Sequence, residues 1–184
     1  MKLAILSLLL GAVLAASAAP ARIILIRHAE KPADERDVHL SEQGRDRAER
    51  LVKWLIEGKE LGTNGVPAAL YAASPTARGK SVRCVETLEP TARSLGLTLR
   101  TPRLADDYAR LAHELLKDES LKGKNVVVCW VHDYLPQFAT ALGVKPQPLK
   151  WRGDDFDTAY VITFPDGKAT LDYAVEKLKK QKKK

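Results

Sequence analysis

The chain has 184 residues, 45% hydrophobic and 29% charged, which is ordinary for a globular protein and leaves room for one domain but little for a second. The net charge of +7 would point to nucleic acid or an anionic surface, except that Lys2 and the six lysines among residues 177–184 account for all of it. The body, residues 19–176, sums to zero, so no nucleic-acid partner is expected.

Residues 1–18 place one lysine ahead of an apolar run that closes on Ala16, Ser17 and Ala18 in an A-x-A cleavage signal. They read as a secretory signal peptide, which directs the mature chain to the periplasm or the extracellular medium. The apolar run, residues 3–16, is short for a bilayer span of about 20 residues. No cysteine precedes Cys84, so nothing near the cleavage point carries a lipid. The expected organisation is a signal peptide at 1–18, one domain at 19–176 and a lysine-rich disordered tail at 177–184. Weak contact of that tail with anionic surfaces is the one polyanion interaction the charge supports.

Residues 23–26 (IILI) form the first strand, a short branched apolar run of the kind buried on both faces of a parallel sheet. A helix follows from Ser41 as N-cap, with Ala48, Leu51, Val52, Leu55 and Ile56 at three-to-four spacing and Gly58 as its stop. LYAAS at 70–74 is a weaker strand. Val82, Val85, Leu88, Ala92 and Leu95 then share one helical face, which Pro90 should end or kink because it lacks an amide hydrogen. LTLRT at 97–101 is a further strand, and Tyr108, Leu111, Ala112, Leu115 and Leu116 mark a third helix. VVVCWV at 126–131 repeats the buried-strand pattern, and residues 136–142 read as a fourth helix. YVITF at 160–164 and ATLDYA at 169–174, joined through Pro165, Asp166 and Gly167, read as a closing hairpin. Alternating strands and helices give a three-layer α/β/α sandwich with a mostly parallel central sheet.

In such sheets ligands bind beyond the carboxyl ends of the strands. Both buried runs end there on histidine, as Arg27-His28 and as His132-Asp133. Cys84 and Cys129 lack the paired spacing of a zinc site, and no metal or other cofactor is indicated. After export the two could form one disulfide, although two buried thiols are the preferred reading.

These residues carry a resemblance. IILIRHAEKP at 23–32 resembles the signature of the histidine phosphatase superfamily, which includes phosphoglycerate mutase-like and phosphohistidine phosphatase-like members. LSEQGRDRAERL at 40–51, YAASPTARGKSVRCVETLEPTARSLGL at 71–97, VVVCWVHDYLPQFATALG at 126–143 and WRGDDFDTAYVITF at 151–164 are similar to the segments that follow it. The resemblance covers nearly all of the chain after residue 18 and implies a phosphoglycerate mutase-like fold. It also implies a metal-independent phosphoric monoester hydrolase in which His28 is the nucleophile and Arg27, Arg83 and His132 hold a small phosphorylated substrate.

Elementary chemistry agrees with these roles. An imidazole attacks phosphorus only when neutral, and neighbouring guanidinium charges favour that form. Arginine's planar fork donates two parallel hydrogen bonds to phosphate oxygens, and His132 adds a third donor. Attack through His28 divides one difficult displacement into two. Arg83 is preferred to Arg78 as the second clamp because Thr87 stands four residues after it, as the superfamily pattern places one; Arg78 is then a loop residue at the pocket rim. The stretch between Ser74-Pro75 and Arg83 is longer than that pattern. Glu30 and Lys31 form a loop ion pair or touch substrate. The proton donor is either Asp133, as in the HD motif of the acid phosphatase branch, or a middle-loop acid among Asp106, Asp107 and Glu114.

His39 and His113 read as structural or solvent residues, Asp154, Asp155 and Asp157 as capping or solvated acids, Trp151 as a pocket liner and Trp54 as packing. The competing class is a catalytically weak module that uses the same cradle to bind phosphate or polyanions.

Overall fold

The two branched apolar runs become the middle of a six-stranded sheet. The computed structural model describes residues 19–34, 36–176 and 178. The expected signal peptide and, apart from Leu178, the lysine tail lie outside the described residues. Strand β1 (Arg22–Arg27) pairs in parallel with β4 (Asn125–Trp130), Arg22 opposite Asn125 and Arg27 opposite Trp130. All six β4 residues are buried, as are the last five of β1, so neither strand shows the in-out alternation of a half-exposed sheet.

The remaining strands are β2 (Ala69–Ala72), β3 (Leu99–Arg100), β5 (Thr158–Thr163) and β6 (Thr170–Val175). Their order in space is β3-β2-β4-β1-β5-β6, the first four parallel, β5 antiparallel to β1, and β6 antiparallel to β5. The β5–β6 pair is the expected hairpin, turned by a short 3₁₀ segment at Pro165–Gly167. Among the described residues no helix is long and apolar enough to cross a membrane.

The helices are α1 (Glu42–Glu57), α2 (Val82–Leu95), α3 (Tyr108–Lys117) and α4 (Leu135–Ala141). Helix α1 packs on α2 and α3 on α4, a pair for each face of a sheet whose central strands are buried throughout. Burial of Leu51, Leu55, Leu88, Leu111, Leu115 and Phe138 against the sheet contributes about 1.5–3 kcal/mol for each side chain. Ser41 caps α1 as its sequence predicts, its hydroxyl accepting the Gly44 N–H at 3.0 Å.

Pro90 does not end the helix: α2 runs on through it to Leu95. The missing amide costs the helix one rung, but Thr87, Leu88, Thr91 and Ala92 on either side are buried, and Pro90 is buried with them. Tertiary packing on both flanks outweighs the local defect. Cys84 on α2 and Cys129 on β4 are free thiols, fully buried and close enough to interact. Burial, with Cys84 beside it, pushes the Cys129 thiol well above its ordinary range.

Candidate active site

His28 follows directly on β1, so a strand buried from Ile23 to Arg27 and paired with the buried β4 delivers it to the carboxyl end of the sheet. The following turn is fastened twice. Ala29 N–H donates to Thr87 Oγ1 at 2.9 Å, and Thr87 Oγ1 donates in turn to the Arg83 carbonyl at 2.7 Å. One hydroxyl therefore ties the loop after His28 to the first turn of α2. On the other side, Ser41 N–H donates to the Glu30 carbonyl at 3.0 Å. There α1 comes so close that a Cβ on Gly44 would lie 2.4 Å from the Glu30 carbonyl oxygen, which is why glycine stands in LSEQG.

Within this frame His28 Nδ1 lies 2.7 Å from the Ala29 carbonyl. A carbonyl oxygen only accepts, so Nδ1 carries the proton and Nε2 keeps its lone pair. Burial pulls the His28 pKa from 6.5 down to about 4; the Ala29 carbonyl opposes this, and Arg27, Arg83 and His132 add to the depression. The ring is neutral at pH 7 with a single tautomer held in place, which are the two requirements of a nitrogen nucleophile.

Arg27 is 4% exposed, and its Nη1 donates to the carbonyls of Gly153 at 2.8 Å, Asp155 at 2.9 Å and Arg152 at 3.4 Å. Its guanidinium carbon sits 3.8 Å from the centre of the Phe156 ring, whose edge also faces His28 with centroids 6.2 Å apart. Burial draws the Arg27 pKa down while Asp155 and Asp133 draw it back. Its Nε is buried and has no hydrogen-bond partner among the described residues, and a buried donor of this kind suits an anion. The buried Nδ1 of His132 is likewise without a hydrogen-bond partner among the described residues, and its Nε2 lies 3.5 Å from Asp133 Oδ1. Burial lowers the His132 pKa, and Arg27 lowers it further.

A cavity of about 430 Å³ opens at His28. Its lining comes from three loops: Thr76, Lys80, Ser81 and Arg83 before and into α2; Leu104, Ala105 and Asp106 before α3; Val131, Asp133 and Tyr134 after β4. Ser81 adopts a left-handed backbone (φ 70°), a strained conformation for a non-glycine residue, at the point where α2 starts and aims Arg83 inward. Arg83 also donates from Nη1 to the Asp37 carbonyl at 3.0 Å.

The residues singled out in sequence separate clearly in space. His28, Arg83, Asp133 and Asp106 border the cavity, and Arg27 and His132 adjoin His28. Arg78 is exposed and is not part of the lining, so its assignment to the rim is corrected in favour of Thr76, Lys80 and Ser81. Glu30 is likewise corrected as a substrate contact. Its carboxylate lies 2.9 and 3.0 Å from Arg47 Nε, a pair that joins α1 to the loop after His28 and continues to Asp157 and Glu176.

Glu114 is held by Arg103 and Arg110, which, Arg103 foremost, keep its carboxyl below the ordinary range. Asp107 faces Arg103 at 3.8 Å. Of the four candidate acids, Asp133 and Asp106 therefore remain in the cavity.

Trp151 does not line the cavity. It is buried on Tyr160 and donates from Nε1 to the Asp155 carbonyl at 3.0 Å, bracing the turn that grips Arg27. Asp155 caps that turn, accepting from the amides of Asp157 and Thr158, and Asp154 pairs with Arg152. Among the described residues no three of His, Cys, Asp and Glu are grouped as a metal site requires. Phe156 was not anticipated: its place over Arg27 depends on the 152–155 turn, and an isolated phenylalanine has no periodic signal.

No protein-family model matches the sequence, and no curated protein matches it. Solved structures do. The protein histidine phosphatase SixA complexed with tungstate is 17% identical, with a TM-score of 0.58 over 84% of this chain and 97% of that one. The mycobacterial glucosyl-3-phosphoglycerate phosphatase in complex with VO3 is 16% identical, with a TM-score of 0.61 over 83% and 97%. A phosphoserine phosphatase variant from Entamoeba histolytica, complexed with phosphoserine, is 13% identical, with a TM-score of 0.55 over 85% and 97%. The likeness is one of fold. The mixed six-stranded sheet with its helices is the phosphoglycerate mutase-like α/β architecture that the sequence resemblance implied.

Proposed function

We propose that the protein is a phosphatase that hydrolyses small phosphomonoesters, without a metal, through a phosphohistidine on His28. The observation that carries this reading is the state of His28 itself: neutral, fixed by Nδ1 on the Ala29 carbonyl, and set at the mouth of a cavity beside two arginines. A fold shared with phosphatases that act on or bind phosphorylated compounds supports it.

In the first step the Nε2 lone pair attacks phosphorus, and the ester P–O bond breaks with its electron pair leaving on the alcohol oxygen. Asp133 or Asp106 donates a proton to that oxygen. Arg27 and Arg83 hold the non-bridging oxygens, where charge accumulates in the in-line transition state. In the second step water attacks the phosphoryl group, the same carboxylate takes its proton, and the P–N electron pair returns to Nε2.

Residues 1–18 complete the proposal as a cleaved export signal, so that the active chain begins at Ala19 outside the cytoplasm. N-terminal sequencing of the exported protein tests that part.

The enzymatic reading is tested with an aryl phosphate in the presence of chelator. Wild-type protein should exceed His28→Ala by more than about 10³ in kcat, and a phosphoryl group stable to alkali and labile to acid should be trapped on His28. Equal rates for the two proteins, with inorganic phosphate still bound, would instead identify a phosphate-binding module.

A further inference from the structure

The cavity beside His28 is chemically divided. The α2 loop supplies cations and hydroxyls through Lys80, Arg83, Thr76 and Ser81, whereas the wall from the other two loops is Leu104, Ala105, Val131 and Tyr134. That second wall is braced from behind. Trp130 Nε1 donates to the Ala105 carbonyl at 2.9 Å, Ser74 N–H donates to the Arg103 carbonyl at 2.7 Å, and Tyr134 stacks on Tyr108 with centroids 5.6 Å apart. Leu104 stands at the cavity with 46% of its surface exposed, an apolar side chain offered to solvent on a loop that is otherwise held. Among the described residues that line this side, the charges are the carboxylates of Asp106 and Asp133, while Lys31 and Lys150 act on the adjoining His132.

Resting on the phosphatase reading, we infer that the substrate is a phosphomonoester of a small, largely apolar alcohol, seated against Leu104, Ala105, Val131 and Tyr134. Phosphate occupies the cationic side, and an aromatic or branched alkyl group covers the apolar wall. A sugar placed there could bond through Asp106, Asp133 and the Tyr134 phenol, but its hydroxyls set against Leu104, Ala105 and Val131 meet no side-chain partner, and each desolvated hydroxyl opposes binding. A second anionic group on the alcohol would meet the two carboxylates. The cavity volume of about 430 Å³ falls in the range for a single small ligand. Leu104 is thus a specificity-determining residue, acting on the leaving group and not on the phosphoryl group.

Benzyl phosphate and glucose 6-phosphate test this, since both are esters of primary alcohols and differ little in intrinsic leaving ability. The expected kcat/KM is at least about tenfold higher for benzyl phosphate, in line with burying one apolar ring. Leu104→Ser should remove most of that preference by lowering the benzyl value alone. Because Leu104 is half exposed, this variant keeps its fold. Equal or reversed preference in an active enzyme, or a Leu104→Ser effect of the same size on both esters, overturns the inference. Should neither ester turn over, the catalytic reading has failed, and the affinities of benzylphosphonate and methylphosphonate decide this one separately. Tighter binding of benzylphosphonate sustains the apolar wall, and equal binding refutes it.

Discussion

The floor of the site and its rim are built on opposite plans. The floor is strand end and buried turn: Arg27 held by three carbonyls and an aromatic face, His28 pinned by the Ala29 carbonyl, Ala29 tied to Thr87. The rim is more open, with Lys80, Asp106 and Asp133 exposed, and Arg83 donating to the Asp37 carbonyl. The proposed nucleophile and the arginine beside it sit where the fold holds side chains most tightly, whereas the second arginine and the candidate acids sit in a more open place. Groups that select among substrates sit where substitution costs the fold little.

The sharpest break in this comparison comes from the two arginines. Arg27→Ala removes the proposed phosphate donor and the partner of the 152–155 turn together, so kcat/KM should fall by about 10³. Arg83→Ala removes a donor from a more open place and should cost about 10². Steady-state kinetics on one aryl phosphate checks both, and equal losses would mean that the burial of Arg27 adds nothing.

Next in size is a pH effect on stability. His28 titrates near 4 in the fold and near 6.5 when unfolded, so the unfolded chain binds the extra proton first. Stability is therefore full above pH 6.5 and declines as pH falls toward 4, by about 3 kcal/mol from this group. Denaturant unfolding at pH 7, 5.5 and 4 measures it. His28→Asn should flatten the slope, and an unchanged slope would place the acid sensitivity elsewhere.

Gly44→Ala should come third. Its new methyl meets the Glu30 carbonyl, and the resulting displacement of the turn after His28 should destabilise the protein by about 1–3 kcal/mol and lower kcat with it. Thermal denaturation alongside kinetics reads both. The smallest effect is that of Arg78→Ala on the exposed loop, which should leave kcat/KM within about twofold.

This division also explains what the sequence discloses. The runs 23–26 and 126–131 are legible because burial on both faces demands unbroken branched apolar residues, and the histidines that end them mark the sheet's carboxyl edge. The pairing of Arg83 with Thr87 is legible because a helix brings residues four apart together. Glu30 and Arg47 lie on different elements and meet only when α1 folds back over the nucleophile loop, so no local spacing links them. Phe156 and Trp151 owe their roles to one turn gripping Arg27, which depends on contacts more than 120 residues apart. Pro90 reads as a helix stop because its local cost is visible in sequence and the packing that overrides it is not.

The bond from His28 Nδ1 to the Ala29 carbonyl reaches beyond the attack it prepares. If Nε2 accepts a phosphoryl group while Nδ1 keeps its proton, the ring becomes a cation, and the same carbonyl then solvates that positive charge. Phosphorus is thereby bonded to a nitrogen that departs as neutral imidazole when water arrives. One backbone oxygen would thus make His28 both a competent nucleophile and a good leaving group, keeping the intermediate short-lived.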